Sequence, residues 1–537
     1  MPHQGPPLNI TVSEEVLIWD WLFTTLTSPL QTIPRAKLRG FRDAQTGERL
    51  DFASIAQHAT SFSNTLRTRY ALKAGDTIAI ACRNSIWYPV AAFAALRLGV
   101  VVAAVSPEYG PKELEYAVET TNASIIVVDG SSVGAARTAL QNPSLALIRL
   151  CIRALIEEGS AMDNVPSFAL EPGQKSRDTL AFLSFTSGTT GLPKAVMISH
   201  RNIIAQASQV FALTKPGPAQ TLLGVLPLCH ITGLVHILHL PLVLNQEVVL
   251  LPKFTMPSML DAVVKYACEE LWLVPPLLIR LLRDALVPQY NLSHIKQFNT
   301  GAAPLAPEII KELETRFPRT AIRQAWGMTE SCSCLTLTPP AHQIYANAHT
   351  VGKIVPGTVL KIVHVDTQEE VPYGVAGEIL ARGPQVTMGY LQADGNAARI
   401  TDAEGYLHTG DLGSLSATGF VTIHDRLKEL IKVKGVGVAP AELEDVLLGH
   451  PDIHDVAVVG KPDEYAGEVV KAFVVLKAGA RTTETEVQGF VKQRKARAKW
   501  LTGGVEFVEE IPKSAAGKIL RRLLRDREKI AHERSKL

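Results

Sequence analysis

A stretch of glycines, small hydroxyls and one lysine, SFTSGTTGLPKAV at 184–196, has the composition of a phosphate-binding loop. Free backbone N–H groups and side-chain hydroxyls are the donors that wrap a polyphosphate. A Walker loop has glycine directly before its lysine, whereas Pro193 precedes Lys194 and Ala195 follows it. Alone, the stretch is either a polyphosphate loop of another kind or a polar surface turn. Its hydroxyl and glycine residues are Thr186, Ser187, Gly188, Thr189, Thr190 and Gly191.

Five further stretches combine turn residues with charged or hydroxyl side chains. In chain order they are NTGAAPLAPE (299–308), QAWGMTES (324–331), GYLHTGDLG (405–413), IHDRLKELIKVKG (423–435) and IPKSAAGKILRR (511–522). With the first loop, they resemble in order the signatures of the acyl-adenylate-forming superfamily. That superfamily holds acyl-CoA synthetases, 4-coumarate–CoA ligases, luciferases and peptide-synthetase adenylation domains. The resemblance covers roughly residues 40–525.

The resemblance implies attack of a carboxylate on the α-phosphate of ATP, with Mg²⁺ as cofactor and coenzyme A as the second acceptor. Because both reactants are anions, cations and hydrogen-bond donors must line their path. By this resemblance Glu330 holds Mg²⁺, Thr329 contacts the α-phosphate, and Lys518 bridges the attacking carboxylate and the phosphate. These three and His230 are the catalytic candidates.

The same resemblance assigns the nucleotide site. Asp411 and Arg426 would hold the ribose, and Trp326 replaces the usual tyrosine as the flat ring that stacks on adenine. The predicted ATP and AMP contacts are Thr186 to Gly191, Lys194, Ala302, Trp326, Gly327, Thr329, Asp411, Arg426 and Lys518.

His230, in LPLCHITG, is by its sequence alone either a buried core histidine or a site residue. The resemblance implies the second, since histidine at the matching position lines the acyl site. Most of the pocket is small or apolar, which suits a medium-chain, arylalkanoic or cinnamate-like acid. The predicted pocket residues are His230, Ile231, Thr232, Gly233, Thr300, Gly301, Ala303 and Cys332.

Thioester formation needs a second access route to the same carbonyl, and the family provides it by rotating a small C-terminal domain. Lys428 occupies the matching hinge position, and the Lys434–Gly435 turn would then face the acyl site. Glycine there leaves room for the pantetheine arm. Gly437 departs from many 4-coumarate–CoA ligase relatives, which have glutamine at this position.

These residues must be positioned by a scaffold. Short apolar runs such as DTIAIAC (76–82), ASIIVVDG (123–130), TLLGVLPL (221–228) and EVVLLP (247–252) alternate with amphipathic segments. This pattern predicts buried strands linked by helices, an α/β fold. The resemblance adds a large N-terminal domain of α/β subdomains, with parallel-rich sheets flanked by helices, and a smaller β subdomain.

The pattern changes after about residue 426. A short helix is predicted at 440–449, two strands follow, and a helix over 483–500 begins with Thr483 and Glu486 spaced as a capping box. We therefore predict an AMP-binding domain at 1–426, with the ATP and acyl sites, and a mobile α+β lid at 427–537 that carries Lys518.

Composition and charge exclude several classes. With 54 Lys+Arg against 52 Asp+Glu, the net charge of +2 gives no footprint for nucleic acid. Arg97 interrupts the most apolar stretch, 87–105, which predicts a buried helix and strand rather than a transmembrane span.

The ending Ser535, Lys536, Leu537 matches the peroxisomal address, which predicts a peroxisomal import receptor as partner and the peroxisome as location.

The sequence leaves alternatives to an acid–CoA ligase. A luciferase-like oxygenase shares the fold, the motifs and often the SKL ending. An adenylation enzyme could serve a carrier protein, although no carrier module follows in this chain. A relative that only binds a nucleotide or an acyl ligand is the non-enzymatic alternative, and Glu330, Asp411, Arg426 and Lys518 argue against it.

Overall fold

The computed structural model of the protein describes residues 2–8, 13–24, 33–34, 37–139, 146–149, 152–186, 193–214, 220–301, 305, 307–434, 436–463, 465–513 and 519–535. The described strands form four sheets, of which three precede residue 427 and one follows it. The described cysteines are free and buried, as expected for a chain without a disulfide framework. Within the same residues, no helix has the length and apolarity needed to cross a membrane.

Two largely parallel sheets form most of the larger part. One has the spatial order Ala397–Ala398, Gly389–Leu391, Lys194–Ser199, Leu180–Thr186, Val101–Ala104, Thr77–Ala81, Ala123–Val128 and Ala146–Arg149. The other has the order Lys353–Ile354, Ser333–Leu337, Ala321–Met328, Gln297–Thr300, Glu270–Trp272, Thr221–Gly224, Glu247–Leu250, Gly40–Asp43 and Arg49–Asp51. Antiparallel strands close the edges of both sheets.

Helices cover these sheets on both faces, which explains the unbroken apolar runs in the sequence. In the strand Thr77–Ala81, Ile78 packs in one hydrophobic cluster with Phe62, whereas Ala79 packs in another with Leu114. The helices are Ile18–Phe23, Phe52–Thr68, Trp87–Arg97, Pro111–Thr121, Val133–Ala139, Arg153–Ser160, His200–Ala212, Met256–Lys265, Pro275–Arg283 and Pro307–Arg316. The helix Trp87–Arg97 and the strand Val101–Ala104 agree with the prediction for 87–105.

One helical segment has an unusual pitch. It begins as the short turn Ile231–Gly233, widens to a π-helix at Leu234–His239, and returns to an α-helix at Leu240–Val243. π-Helical turns are rare and occur frequently at functional sites. This segment follows His230 directly.

A smaller antiparallel sheet completes the larger part. Its order is His3–Gln4, Val359–Val363, Gly377–Arg382, Leu407–Leu415 and Val421–Arg426. Buried and less buried side chains alternate along Leu407–Leu415, as expected for a sheet with one covered face. Asp411 is one of its buried residues.

The fourth sheet has the order Val436–Val438, Ile431–Val433, Gly467–Leu476 and Ile453–Asp463, with Gly504–Phe507 beside Gly467–Leu476. The helices Pro440–Leu448, Glu484–Lys492 and Arg521–Ser535 accompany it. The predicted domain boundary after Arg426 falls between the third and fourth sheets.

The predicted helix over 483–500 is wrong at its C-terminal end. It begins with the expected capping box, in which Glu486 N donates to Thr483 Oγ1 at 3.3 Å and Thr483 N to Glu486 Oε2 at 2.7 Å. It ends at Lys492 because the following residues turn toward Glu442, whose carboxylate accepts from Lys495 Nζ at 2.7 Å.

A buried ionic cluster lies at the start of the last helix. Arg521 Nε donates to Glu444 Oε1 at 3.1 Å, and the same guanidinium also pairs with Glu429. All three side chains are about one-tenth exposed or less. Nearby, Asp425 accepts from the backbone N–H of Ala441, in the first turn of the helix Pro440–Leu448.

We expect Arg521→Ala to lower the free energy of unfolding by about 3–5 kcal/mol, because it leaves two buried carboxylates without their cation. Arg527→Ala is the matched control, since Arg527 on the same helix pairs with Glu506 at an exposed position and should change stability little. Urea denaturation followed by circular dichroism measures both. An equal loss of unfolding free energy in the two variants would contradict the assignment of a buried ionic cluster.

Candidate active site

One cavity of about 1100 Å³ opens at the carboxyl ends of the parallel strands. Thr186, which ends one strand of the first sheet, and Met328, which ends Ala321–Met328 of the second, both line it. Val225 and Gly301, which directly follow the strands Thr221–Gly224 and Gln297–Thr300, also line it. Ligands of open α/β sheets bind at this edge. The predicted site residues that line it are Thr186, Lys194, His230, Ile231, Thr232, Gly301, Trp326, Gly327, Thr329, Glu330, Arg426 and Lys428.

Several predicted residues lie outside the described part of the chain. They are Ser187, Gly188, Thr189, Thr190, Gly191, Ala302, Ala303, Gly435 and Lys518, with Lys536 and Leu537 at the end. Their roles stay predictions. Thr186 and Lys194, on either side of the loop, both line the cavity.

Glu330 is held by two contacts from one short segment. The hydroxyl of Tyr390 donates to Glu330 Oε1 at 2.7 Å, and the backbone N–H of Thr387 donates to the Glu330 carbonyl at 2.9 Å. Burial, with the adjacent Glu330 carboxylate, raises the pKa of Tyr390, so the phenol keeps its proton and donates. The ammonium of Lys194 lies 4.8 Å from the centre of the Tyr390 ring. Tyr390 thus connects the two predicted phosphate-binding elements.

The backbone just after Glu330 is strained. Cys332 and Ser333 have φ values of 49° and 96°, in the left-handed region that residues other than glycine avoid. The hydroxyl of Ser331 stabilises this turn, since it accepts from the N–H of Met328 at 3.0 Å and lies 2.9 Å from the carbonyl oxygen of Ser333. Such strain persists where the surroundings fix it, and it is concentrated at functional sites.

Asp411 is fixed by two neighbours that line the cavity. Arg426 is its partner across the strand pair, with Nε 3.1 Å from Asp411 Oδ1. The indole Nε1 of Trp326 donates to Asp411 Oδ2 at 2.8 Å. Asp411 itself is 3% exposed and lies behind these two side chains. The arrangement brings the predicted adenine and ribose residues together, and it gives Trp326 a polar contact in addition to its flat face.

The acyl end of the cavity is mostly apolar. His230, Ile231 and Thr232 line it, and His230 accepts from the N–H of Thr232 at 3.4 Å. The same cavity is also lined by the apolar side chains of Leu226, Leu251, Phe254, Leu273, Val274 and Leu277.

Three residues predicted for the acyl pocket do not reach the cavity wall. Thr300 and Cys332 are buried, with exposed fractions of 1% and 0%, and neither lines the cavity. Burial raises the pKa of the Cys332 thiol. Gly233 packs against the preceding turn, because a Cβ there would lie 1.9 Å from the carbonyl oxygen of Pro227.

The hinge candidates lie apart from one another. Lys428 lines the cavity, whereas Lys434 has φ of 50° and places its ammonium 4.2 Å from the centre of the Tyr465 ring in the C-terminal part. Gly437 is exposed, and the nearest neighbour of a Cβ at this position would be Leu430 Cδ1, at 3.5 Å. A larger side chain would therefore fit at this position.

Sequence reasoning missed several residues that line the cavity. They are His236, Trp272, Ser333, Cys334 and Tyr390. His236 and Trp272 lie in apolar runs that predict core, and no local pattern distinguishes Tyr390 from an ordinary strand tyrosine. Only the folded structure shows that these residues line the cavity.

The carboxylate of Glu330 fits the expected role of a Mg²⁺ ligand. Magnesium is usually bound through one or two carboxylates together with substrate phosphates and water. Glu330 lines the cavity beside Thr329 and is oriented by Tyr390. Glu330 would therefore hold Mg²⁺ together with the nucleotide.

Comparisons with known proteins agree with this architecture. The "AMP-binding enzyme" family model matches residues 35–391, and the "AMP-binding enzyme C-terminal domain" model matches residues 442–518. Among solved structures, ATP-bound MatB from Rhodopseudomonas palustris has 26% identity and a TM-score of 0.84 over 96% of this chain and 99% of that chain. The α/β fold with a large N-terminal and a small C-terminal domain, as predicted, is that of the adenylate-forming enzymes.

The chain belongs to the AMP-binding enzyme family. It is 34% identical to "4-coumarate--CoA ligase-like 1" of Arabidopsis thaliana, over 92% of this chain and 94% of the relative. It is also 34% identical to "Luciferin 4-monooxygenase" of Photuris pensylvanica, over 86% and 85% of the two chains. The family predicted from the six sequence stretches is therefore confirmed.

We expect Tyr390→Phe to lower the rate of adenylation about 10-fold, because Glu330 loses a charge-assisted hydrogen bond worth about 1.5–3 kcal/mol. The ring that contacts Lys194 is kept. The Mg²⁺ concentration for half-maximal rate should rise, and calorimetry should show weaker binding of MgATP with little change for ATP in EDTA.

Tyr345→Phe is the control, since its hydroxyl donates to the Phe317 carbonyl at a buried position that does not line the cavity. Unchanged magnesium dependence in Tyr390→Phe would show that the contact with Glu330 has no role in nucleotide binding.

Proposed function

We propose that the protein is an AMP-forming acid–CoA ligase that activates a hydrophobic carboxylic acid with ATP and then transfers the acyl group to coenzyme A. One observation carries the proposal: a single cavity is lined both by Glu330, Lys194 and Arg426 and by His230 with a set of apolar side chains. The family and its relatives named as CoA ligases support the same enzyme class.

In the first half-reaction, a carboxylate oxygen of the acid bonds to the α-phosphorus of ATP. The bond from that phosphorus to the bridging oxygen breaks, and pyrophosphate leaves. We infer that Thr329 donates to the α-phosphate and that Lys194 neutralises the departing phosphates. Arg426, supported by Asp411 behind it, would hold the ribose. Glu330 would hold Mg²⁺, which when bound would supply positive charge to the phosphates. Lys518 bridges the two anions in this proposal.

In the second half-reaction, the thiol of coenzyme A loses its proton to solvent or a base, and the resulting thiolate attacks the acyl carbonyl. A C–S bond forms, the C–O bond to phosphate breaks, and AMP leaves. The C-terminal domain rotates about Lys428, which withdraws Lys518 and brings the Lys434–Gly435 turn to the acyl site. The position of Lys428 supports this hinge role. Lys428 lies at the cavity wall, two residues after the third sheet ends at Arg426.

The apolar walls support a medium-chain, arylalkanoic or cinnamate-like acid as the substrate. Burying the apolar part of the acid contributes binding energy at about 25 cal/mol per Å² of apolar surface.

The Photuris relative supports a second candidate, a luciferase-like oxygenase that uses the adenylate with O₂ instead of coenzyme A.

A pyrophosphate-release screen over aliphatic, phenylalkanoic and hydroxycinnamic acids, with and without coenzyme A, tests the function. A ligase gives acid-dependent pyrophosphate and a CoA-dependent acyl thioester with AMP. Oxygen consumption or light would support the oxygenase, and adenylation without thioester would support a carrier-protein partner.

Lys518→Ala should remove most ATP-dependent activity, a loss of about 10²–10³-fold for one well-placed electrostatic group. A preformed acyl-adenylate should still be converted to the thioester. If the variant makes pyrophosphate at the normal rate, the division of roles between the half-reactions is wrong.

We further propose that Ser535, Lys536 and Leu537 act as a peroxisomal address read by the import receptor. The address functions only at a carboxyl terminus. A fluorescent protein fused to the amino end of the chain should enter peroxisomes, and deletion of Leu537 should leave the fusion in the cytosol. Import of the truncated fusion would overturn this localisation.

A further inference from the structure

The first helix of the C-terminal domain, Pro440–Leu448, has no cap of its own. Its N-cap residue is Ala439, whose methyl group cannot accept a hydrogen bond, and Pro440 has no N–H. The first N–H of the helix is that of Ala441, which donates to Asp425 Oδ2 at 3.1 Å. Asp425 lies on the last strand of the third sheet, in the N-terminal domain. A residue of one domain therefore caps a helix of the other.

The carboxylate of Asp425 is oriented for this contact. Its Oδ1 accepts from the N–H of Arg426 at 2.6 Å, while Oδ2 accepts from Ala441. Asp425 is 6% exposed, and burial raises its pKa to about 6, with Arg521 favouring the ionised form and Glu444 opposing it. The carboxyl is therefore ionised at neutral pH, and its negative charge lies at the positive end of the helix dipole.

The contact crosses the proposed hinge. Asp425 precedes Lys428 in the chain and Ala441 follows it, so rotation of the C-terminal domain about Lys428 separates the two groups. By contrast, Arg521 and its two carboxylate partners all follow Lys428 and rotate together. The contact of Asp425 therefore distinguishes the two positions of the domain, whereas the Arg521 cluster does not.

The structure shows the domain before that rotation. In the proposed function, the Lys434–Gly435 turn reaches the acyl site for thioester formation. Here Lys434 does not line the cavity, and its ammonium lies against the Tyr465 ring instead. The helix cap thus belongs to the position used for the first half-reaction.

The other end of the same helix carries an opposing interaction. Leu448 packs against a hydrophobic cluster of the N-terminal domain, and a Cβ at Gly449 would lie 3.5 Å from Glu308 Cδ. Burial, with the charges of Glu444 and Glu308, raises the pKa of Asp445 to about 7. Carboxylates of the two domains therefore lie close to each other at this end, and their like charges oppose closure.

We propose that Asp425 is a positioning residue for the first half-reaction, because it caps the helix Pro440–Leu448 and so holds the C-terminal domain in the position for adenylation. The inference rests on the proposed ligase function and its domain rotation. The cap favours the closed position, and the repulsion at Glu308 limits how firmly the domain is held. The two ends of one helix thus set the balance between adenylation and thioester formation.

Separate assays of the two half-reactions test the proposal. Pyrophosphate release is measured with whichever of octanoic, 3-phenylpropanoic and 4-hydroxycinnamic acid gives the highest rate, and thioester formation with the preformed adenylate of that acid and coenzyme A. Asp425→Ala should lower the rate of adenylation about 10-fold, the effect of losing a helix cap. The rate of thioester formation should be unchanged or higher. Asp425→Asn keeps an oxygen that accepts from Ala441 and should lose less.

Glu308→Gln should have the opposite effect, because it removes a like charge from the closed interface. Thioester formation should slow about 2–5-fold, while adenylation does not. Asp51→Ala is the matched control. Asp51 also caps a helix, since its Oδ1 accepts from the N–H of Ser54 at 2.8 Å, but both residues lie in the N-terminal domain and neither lines the cavity. This variant should leave the ratio of the two rates unchanged.

Amide hydrogen exchange gives a readout that needs no turnover. In the MgATP complex, the N–H groups at the start of Pro440–Leu448 should exchange faster in Asp425→Ala than in the wild type, and Asp51→Ala should not change them. Two outcomes would overturn the inference: unchanged exchange in Asp425→Ala, or equal losses in both half-reactions, which would show that Asp425 acts through Arg426 and the ribose. Absence of pyrophosphate with all three acids would instead overturn the proposed function, and the exchange measurement would still test the contact.

Discussion

The repulsion between two anions is the constraint on which the rest of the site depends. A carboxylate and a triphosphate must meet within bonding distance, yet the site itself contains the carboxylates of Glu330 and Asp411. Each of these is controlled by its own donors, Tyr390 for Glu330, and Trp326 with Arg426 for Asp411. A carboxylate held in this way keeps a fixed direction, and Glu330 can share a cation with the phosphates instead of repelling them.

The parallel sheets make this arrangement possible. Their strands end at one edge, so residues far apart in sequence, such as Thr186 and Glu330, meet at one cavity. The antiparallel strand Gly389–Leu391 contributes Tyr390 beside Lys194, because it pairs with the strand that Lys194 begins. The charged end thus draws on both large sheets and on the small antiparallel sheet that carries Asp411. The residues predicted to contact the acid, His230 to Thr232, line the same cavity directly before the π-helical turn.

The sequence predicted the fold well wherever side-chain patterns are local. Apolar runs such as 76–82 and 123–130 became buried strands, and the capping box at Thr483 started a helix. The end of that helix was predicted wrongly, because an ion pair with Glu442, remote in sequence, decides where it stops. The nucleotide-binding residues were predicted from motifs that occur in the same order as in the family. Those that the structure describes lie at or directly behind the cavity wall. Tyr390 escaped prediction because its contact with Glu330 joins segments far apart in sequence, and His236 because it lies in an apolar run that predicts core.

The π-helical turn at Leu234–His239 has a consequence for how this protein can vary in length. A wide turn contains about one residue more than an α-helical path over the same rise. Loss of a single residue there would restore the ordinary pitch locally, and the helix beyond the turn would keep its rotation about the axis. Loss of a residue from an ordinary α-helix would instead rotate everything downstream by about 100°. A one-residue deletion in this segment is therefore expected to change the wall that follows His230 while it leaves the rest of the fold in register.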